Sequence, residues 1–293
     1  MDSIIGNIIQ KENLKKIIQS KNIGHAYMFV GPEGVGKSLI AKAFAKAILC
    51  ENSTDTYCDA CECCEIFENS PDFVYTTDDN ETIKVGEIRA LSENIILKPT
   101  KSSRRVFIIN NADMMNEASQ NALLKILEEP PSYATIILIL SNKEKILRTI
   151  KSRCVEIKFL PLTLDEMHEY YKNEEIGEEL FKYARGSIGN MEKLKVSNYI
   201  DNVIELDKAL SGKDLLEMNK SLSKLKENKA VKENINSILD LLIVKLNIEL
   251  KEDYSKKIEQ INIIEECRRN LKRNSNFDIT LDYMMVKLWE LEA

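Results

Sequence analysis

An apolar run, His25-Ala26-Tyr27-Met28-Phe29-Val30, enters the glycine loop Gly31-Pro32-Glu33-Gly34-Val35-Gly36-Lys37-Ser38 and leaves it in a stretch rich in Ala, Leu and Lys up to Leu49. This spacing, G-x-x-x-x-G-K-[ST] between a strand and a helix, constrains the chain more than any other feature. Glycines let backbone N–H groups curl around a phosphate, and the lysine reaches the terminal phosphates. The serine suits Mg²⁺, and the helix N-terminus adds the positive end of its dipole. Such a loop needs a strand on one side and a helix on the other, so the chain is expected to open with an α/β domain built on a parallel sheet. Gly31, Gly36, Lys37 and Ser38 are all intact, which favours ATP or ADP with Mg²⁺ as a bound cofactor.

The rest of the first 160 residues fits that plan. Arg105–Ile109 and Ala134–Leu140 read as buried strands, the latter with the β-branched content that strands favour. Between them Ala118, Ala122, Leu123, Ile126 and Leu127 recur at helical spacing from Glu117 to Glu129, and Pro130-Pro131 ends the helix. After Pro161 strands give way to helices. Thr163-Leu164-Asp165-Glu166 has the capping-box spacing, and 178–194 reads as two short helices around Gly186 and Gly189. From about residue 205 the chain is amphipathic helix, with an apolar stripe at Ile235, Ile238, Leu239, Leu242, Leu246 and Leu250 and a last stretch containing Trp289. The predicted organisation is an α/β P-loop domain over 1–161, a small helical domain over 162–205 and a helical domain over 206–293.

Hydrolysis of ATP on such a loop needs an acid at the end of a neighbouring strand to hold the Mg²⁺ shell, usually followed by a residue that orients water. The strand Val106–Ile109 runs instead into Asn110-Asn111, whose amides carry no charge and take no proton. Asp113 lies further on and serves only through a shifted register. Weak or absent hydrolysis by the chain alone is therefore expected.

Seven cysteines are present, five of them between Cys50 and Cys64. The start, Met1-Asp2-Ser3-Ile4-Ile5, has no basic stretch followed by an apolar one, so a cytoplasmic protein is expected, and there cysteine crowding favours metal over disulfides. Cys50, Cys58, Cys61 and Cys64 read C-x7-C-x2-C-x2-C; four thiolates with no open position suit a structural Zn²⁺. Cys63 adjoins Cys64, and the regular spacing favours Cys64. Cys154 and Cys267 read as small buried residues. A net charge of −6 means that any contact with nucleic acid comes through a local patch or through partner subunits. No apolar run is long enough to span a membrane.

The order of these elements resembles the bacterial clamp-loader branch of the AAA+ ATPases. The resemblance runs through His25-Ala26-Tyr27, the glycine loop, the four cysteines and Ser70-Pro71-Asp72-Phe73. It continues through Ala122-Leu123-Leu124-Lys125-Ile126-Leu127-Glu128-Glu129-Pro130-Pro131 and Ser152-Arg153-Cys154, covering about 190 residues well and the remainder only as helical texture. Within the branch the pattern is most similar to the delta-prime class of the DNA polymerase III loader. Motor subunits, gamma and tau, carry Asp-Glu where Asn110-Asn111 stand, and an arginine in a Gly-Ser-x-Arg motif that here reads Gly186-Ser187-Ile188-Gly189. The resemblance implies an AAA+ module, a helical lid and a C-terminal collar joining five subunits. It further implies partnership with gamma/tau and delta, action on the sliding clamp and primer-template DNA through the complex, and a role for Arg153 as an arginine finger in the neighbouring ATP site. An active motor subunit using Asp113, and a stand-alone regulator of the same superfamily, are the competing readings.

Overall fold

The computed structural model describes residues 1–76, 82–196, 199–212, 214–248, 254–273 and 275–292. The chain divides into two compact units, Met1–Ile176 with Arg185–Gly189, and Gly177–Ala184 with Asn190–Ala293.

The first unit is built on five parallel strands: β1 (Ala26–Val30), β2 (Phe73–Thr76), β3 (Arg105–Ile109), β4 (Ala134–Leu140) and β5 (Val155–Lys158), in the order β2-β3-β4-β1-β5. Phe29 lies opposite Ile139, and Phe107 opposite Ile136. Successive side chains of a strand point to opposite faces, and both faces here are covered. Tyr27, Phe29, Val106, Ile108, Ile137 and Ile139 pack with α1 (Ile8–Gln19) and α2 (Lys37–Leu49). Met28, Phe107, Ile109, Ile136 and Leu138 pack on the other side with α4 (Val85–Ile95), α5 (Glu117–Glu128) and α6 (Arg148–Lys151); the short α3 (Glu62–Glu65) lies in the cysteine segment. Double coverage explains why β3 and β4 are buried along their whole length and, apart from Arg105 and Thr135, are apolar throughout.

β2 and β5 were not legible as strands. Each has four residues, and in β5 only Ile157 is buried while Val155 and Lys158 are exposed, as befits an edge. The edge is fastened by side chains from the start of the chain. The Leu160 N–H donates to Asn7 Oδ1 at 2.9 Å, Asn7 Nδ2 donates to the Leu160 carbonyl at 3.2 Å, and Gln10 Nε2 donates to the Lys158 carbonyl at 2.6 Å.

At the far edge, Asp72 precedes β2 with no exposure, and its carboxylate accepts the N–H groups of Thr100, Lys101 and Ser102 at 2.8, 2.7 and 2.9 Å. Burial by itself pushes this carboxyl up; the three amides and Arg105 outweigh it and hold it below the usual carboxylate range. A depressed folded-state value supplies stability that is present above the unfolded value and lost as pH falls through the folded one. Asp72→Asn is thus expected to cost about 1–3 kcal/mol at pH 7. The gap from wild type should close as the pH falls below about 4. Urea unfolding at several pH values reads both, and an unchanged midpoint at pH 7 refutes the assignment.

α7 (Leu164–Tyr170) begins with the expected capping box, Thr163 Oγ1 accepting the Glu166 N–H at 3.2 Å and Glu166 Oε2 accepting the Thr163 N–H at 2.8 Å. The second unit comprises α8 (Glu178–Ala184), most of α9 (Ile188–Val196), α10 (Tyr199–Leu210), α11 (Leu215–Glu227), α12 (Lys229–Ile248), α13 (Tyr254–Lys272) and α14 (Phe277–Glu292). One core joins α10 to α14. Ile235, Ile238, Leu239, Leu242 and Leu246 are buried in it with Val203, Leu222, Cys267 and Leu281, and Trp289 packs at its margin. Leu250 lies outside the described residues. A division at 205–206 falls inside α10, whose Val203 and Leu206 share this one core. No described helix is long and apolar enough to cross a membrane.

Candidate functional site

In an open parallel sheet the carboxyl ends of the central strands meet at a crevice. Here the ends of β1, β3 and β4 deliver the glycine loop, Asn110 and Ser141 to one cleft of about 530 Å³. Ser3, Ile4 and Ile5 line it from the start of the chain, Gly34–Leu39 from the loop and the head of α2, and Tyr170, Ile188 and Gly189 from further along. Ile188 and Gly189 belong to the Gly186–Gly189 motif singled out in the sequence, whereas Ser3, Ile4, Ile5 and Tyr170 carry no sequence signal that places them here.

Inside the cleft the glycine loop satisfies its own cation. Lys37, only 6% exposed, donates from Nζ to the carbonyls of Gly31 and Pro32 at 2.7 and 2.6 Å. Burial lowers its pKa, while the charges of Asp113 and Glu33 act in the opposite sense. An incoming phosphate would offer the ammonium a better partner than two neutral carbonyls.

Ser38 Oγ donates to Asn110 Oδ1 at 3.2 Å. The residue that the serine meets is therefore Asn110, an amide in the place where hydrolysis calls for a carboxylate. Asn111 turns away in the left-handed region at φ 51° and starts a 3-10 turn, Ala112–Met114. Asp113, buried in that turn, is already engaged: its Oδ2 accepts the N–H of Asn142, just past β4, at 3.0 Å. Nearby Gln120, another residue that the sequence did not flag, ties three segments. Its Nε2 donates to the carbonyls of Met115 and Lys145, and its Oε1 accepts the Leu147 N–H at 2.8 Å.

The Gly186-Ser187-Ile188-Gly189 turn lies against the loop. Ser187 Oγ donates to the Glu33 carbonyl at 2.9 Å, and the Gly189 N–H donates to the Gly34 carbonyl at 3.1 Å.

Arg153 stands at the end of α6, remote in sequence from the loop. Its Nη1 donates to the Thr149 carbonyl at 2.8 Å and its Nη2 to Glu128 Oε1 at 3.1 Å, with the side chain 35% exposed and that of Glu128 52% exposed. Glu128 lies at the end of the Leu-Lys-Ile-Leu-Glu run, so the two most specific sequence motifs, read separately, touch each other. An exposed pair of this kind is worth about 0–1 kcal/mol and opens readily.

The sulfurs of Cys50, Cys58, Cys61 and Cys64 lie within 4.8 Å of one another, with all but Cys58 buried. Cys50 Sγ and Cys61 Sγ are 3.8 Å apart, the separation that two sulfurs at about 2.3 Å from a tetrahedral zinc would have. Burial pushes the Cys50 thiol up to about 12, whereas the Ala60 N–H helps bring exposed Cys58 down to about 6. Four sulfurs this close, three of them buried, could all be held as thiolates only with a cation between them, and such a donor set fits zinc. Cys63 points elsewhere, its Sγ 3.4 Å from Glu51 Oε1 and 3.8 Å from the Lys101 carbonyl.

The comparisons with known proteins follow from the same elements. A family model described as "DNA polymerase III, delta subunit" matches residues 6–163, just over half of the chain. The chain belongs to this family. The delta-subunit family sits in the clamp-loader branch of the AAA+ proteins, and curated relatives agree. The gamma subunit of Buchnera aphidicola is 36% identical over 195 residues, 61% of this chain and 53% of the relative. Tau of Bacillus subtilis is 32% identical over 211 residues, 70% of this chain and 37% of the relative. The delta′ subunit of Bacillus subtilis is 35% identical over 147 residues, 50% of this chain and 45% of the relative. The chain thus spans between about a third and about half of the length of these clamp-loader relatives. A solved structure of a gamma-subunit-related protein from Thermotoga maritima shares the fold, with a TM-score of 0.52 at 19% identity over 97% of this chain and 100% of that one. The AAA+ α/β class expected from the sequence, followed by helices, is the class found.

Proposed function

We propose that this clamp-loader family member is a non-hydrolysing subunit of the DNA polymerase III loader, of the delta-prime kind. It lends Arg153 to the ATP site of the neighbouring subunit while its own loop, Gly31–Ser38, holds ATP or ADP with Mg²⁺ without turning it over. The observation that carries the reading is the 3.2 Å contact of Ser38 with Asn110, because it supplies an amide where turnover needs an acid. In the same reading the cysteines hold a structural Zn²⁺. Residues 1–161 form the AAA+ module, those after 161 begin a lid, and the helices from α10 onward form a collar that assembles with gamma/tau and delta in a hetero-pentamer in the cytoplasm. The sliding clamp and primer-template DNA are met through that complex.

An active motor role is the second reading, favoured by the relatives named gamma and tau, which match as well as delta′ does. Steady-state ATPase of the isolated chain separates the two. The expected result is turnover no greater than background, with calorimetric nucleotide binding that Lys37→Ala abolishes. Robust turnover by the wild-type chain would overturn the proposal, and turnover lost in Asp113→Asn would establish the motor reading.

A further inference from the structure

We infer that the turn Gly186–Gly189 is a splint for the phosphate loop, fixing the loop's shape in the absence of nucleotide. Phosphate-binding loops are rich in glycine and gain their order partly from the anion they wrap, because an unliganded loop pays the conformational entropy of glycine with little in return. Here two carbonyls in the middle of the loop have partners from a turn more than 150 residues away: Glu33 accepts the Ser187 hydroxyl, and Gly34 accepts the Gly189 amide. Ser187 and Val35, inside the loop, are each 2% exposed, so the hydroxyl reaches the loop from a buried position, while the Gly34–Gly189 contact lies half-buried at the cleft wall.

The approach is close enough that neither partner tolerates a side chain. A Cβ on Gly34, whose φ is +74°, would sit 2.3 Å from Ser187 Oγ and 2.9 Å from Gly189 Cα. A Cβ on Gly189 would sit 2.8 Å from Gly34 Cα, which is backbone and has no rotamer with which to yield. Any residue larger than glycine at 189 must lift the turn and break the Gly189 N–H bond to the loop. Gly189 is therefore a positioning residue for the loop, and its lack of a side chain is the working feature.

Backbone hydrogen–deuterium exchange of the full chain without nucleotide tests this. In wild type the Gly189 amide, which donates to the Gly34 carbonyl, should exchange slowly. Gly189→Ala should speed exchange at that position by about tenfold or more, and Ser187→Ala, which adds no atoms, by roughly fivefold, in line with the loss of one hydrogen bond. Peptides covering β3 and β4 should keep their wild-type rates in both variants. Acceleration in Gly189→Ala alone assigns the splint to the backbone approach and supports it. An unprotected Gly189 amide in wild type overturns the inference. So does equal acceleration across the whole first unit. If Gly189→Ala does not fold, or leaves the rates unchanged, wild-type rates in Ser187→Ala likewise overturn it.

Discussion

Replacing Arg153 by alanine is expected to slow ATP hydrolysis at the adjoining site of a reconstituted loader by about 10³-fold, the low end of what an arginine finger contributes. Assembly should be intact. The guanidinium uses two of its donors, one on the Thr149 carbonyl and one on Glu128, and is one-third exposed. Three N–H donors are left for an anion. Removing it breaks only an exposed ion pair, so the melting temperature of the subunit should hardly move. Arg153→Lys should recover only part of the rate, because an ammonium cannot present the planar fork that a phosphoryl group accepts. Single-turnover hydrolysis in the assembled complex reads the effect at one site, while the other sites keep theirs. Wild-type rates from an intact complex carrying Arg153→Ala would sink the in-trans role.

Removal of the zinc proposed for the cysteine quartet should produce the largest change in stability. Structural zinc sites contribute about 10–16 kcal/mol of apparent binding energy to the structures they hold. The segment from Cys50 to Cys64 has little else: four buried cysteines with Tyr57 against them, and the single turn of α3. Treatment with a strong chelator is expected to lower the melting temperature by roughly 10 °C or more, at a few degrees per kcal/mol for a unit of this size. Cys61→Ser should do the same and leave about one zinc fewer per chain. Cys63→Ser should keep the metal, since Cys63 faces Glu51 and Lys101 instead of the cluster. The proposal fails if purified chain contains no stoichiometric metal and melts identically with and without chelator.

Much of this was readable before any coordinates. Strands β1, β3 and β4 are long apolar runs because both of their faces are covered, and that pattern survives in one dimension. β2 and β5 are short and half exposed, so nothing in their residues distinguishes them from loops; their neighbours in the sheet make them strands. The loop, the cysteine quartet and Asn110 were legible because their chemistry depends on residue type and local spacing. Sequence could not pair Ser38 with Asn110, 72 residues apart, nor Glu128 with Arg153, nor see Asp113 committed to Asn142. Gly189 shows the limit most clearly. Read along the chain it is an arginine that is missing, whereas in space it is the residue that lets two backbones touch.

The fastening of β5 by Asn7 and Gln10 bears on how this protein can be handled. Ser3, Ile4 and Ile5 wall the phosphate cleft, and the next few residues stitch the outermost strand of the sheet to α1. A shortened version starting at α1 would thus lose a side of the cleft and both Asn7 bonds to the outermost strand in the same cut, leaving Gln10 alone to hold that edge.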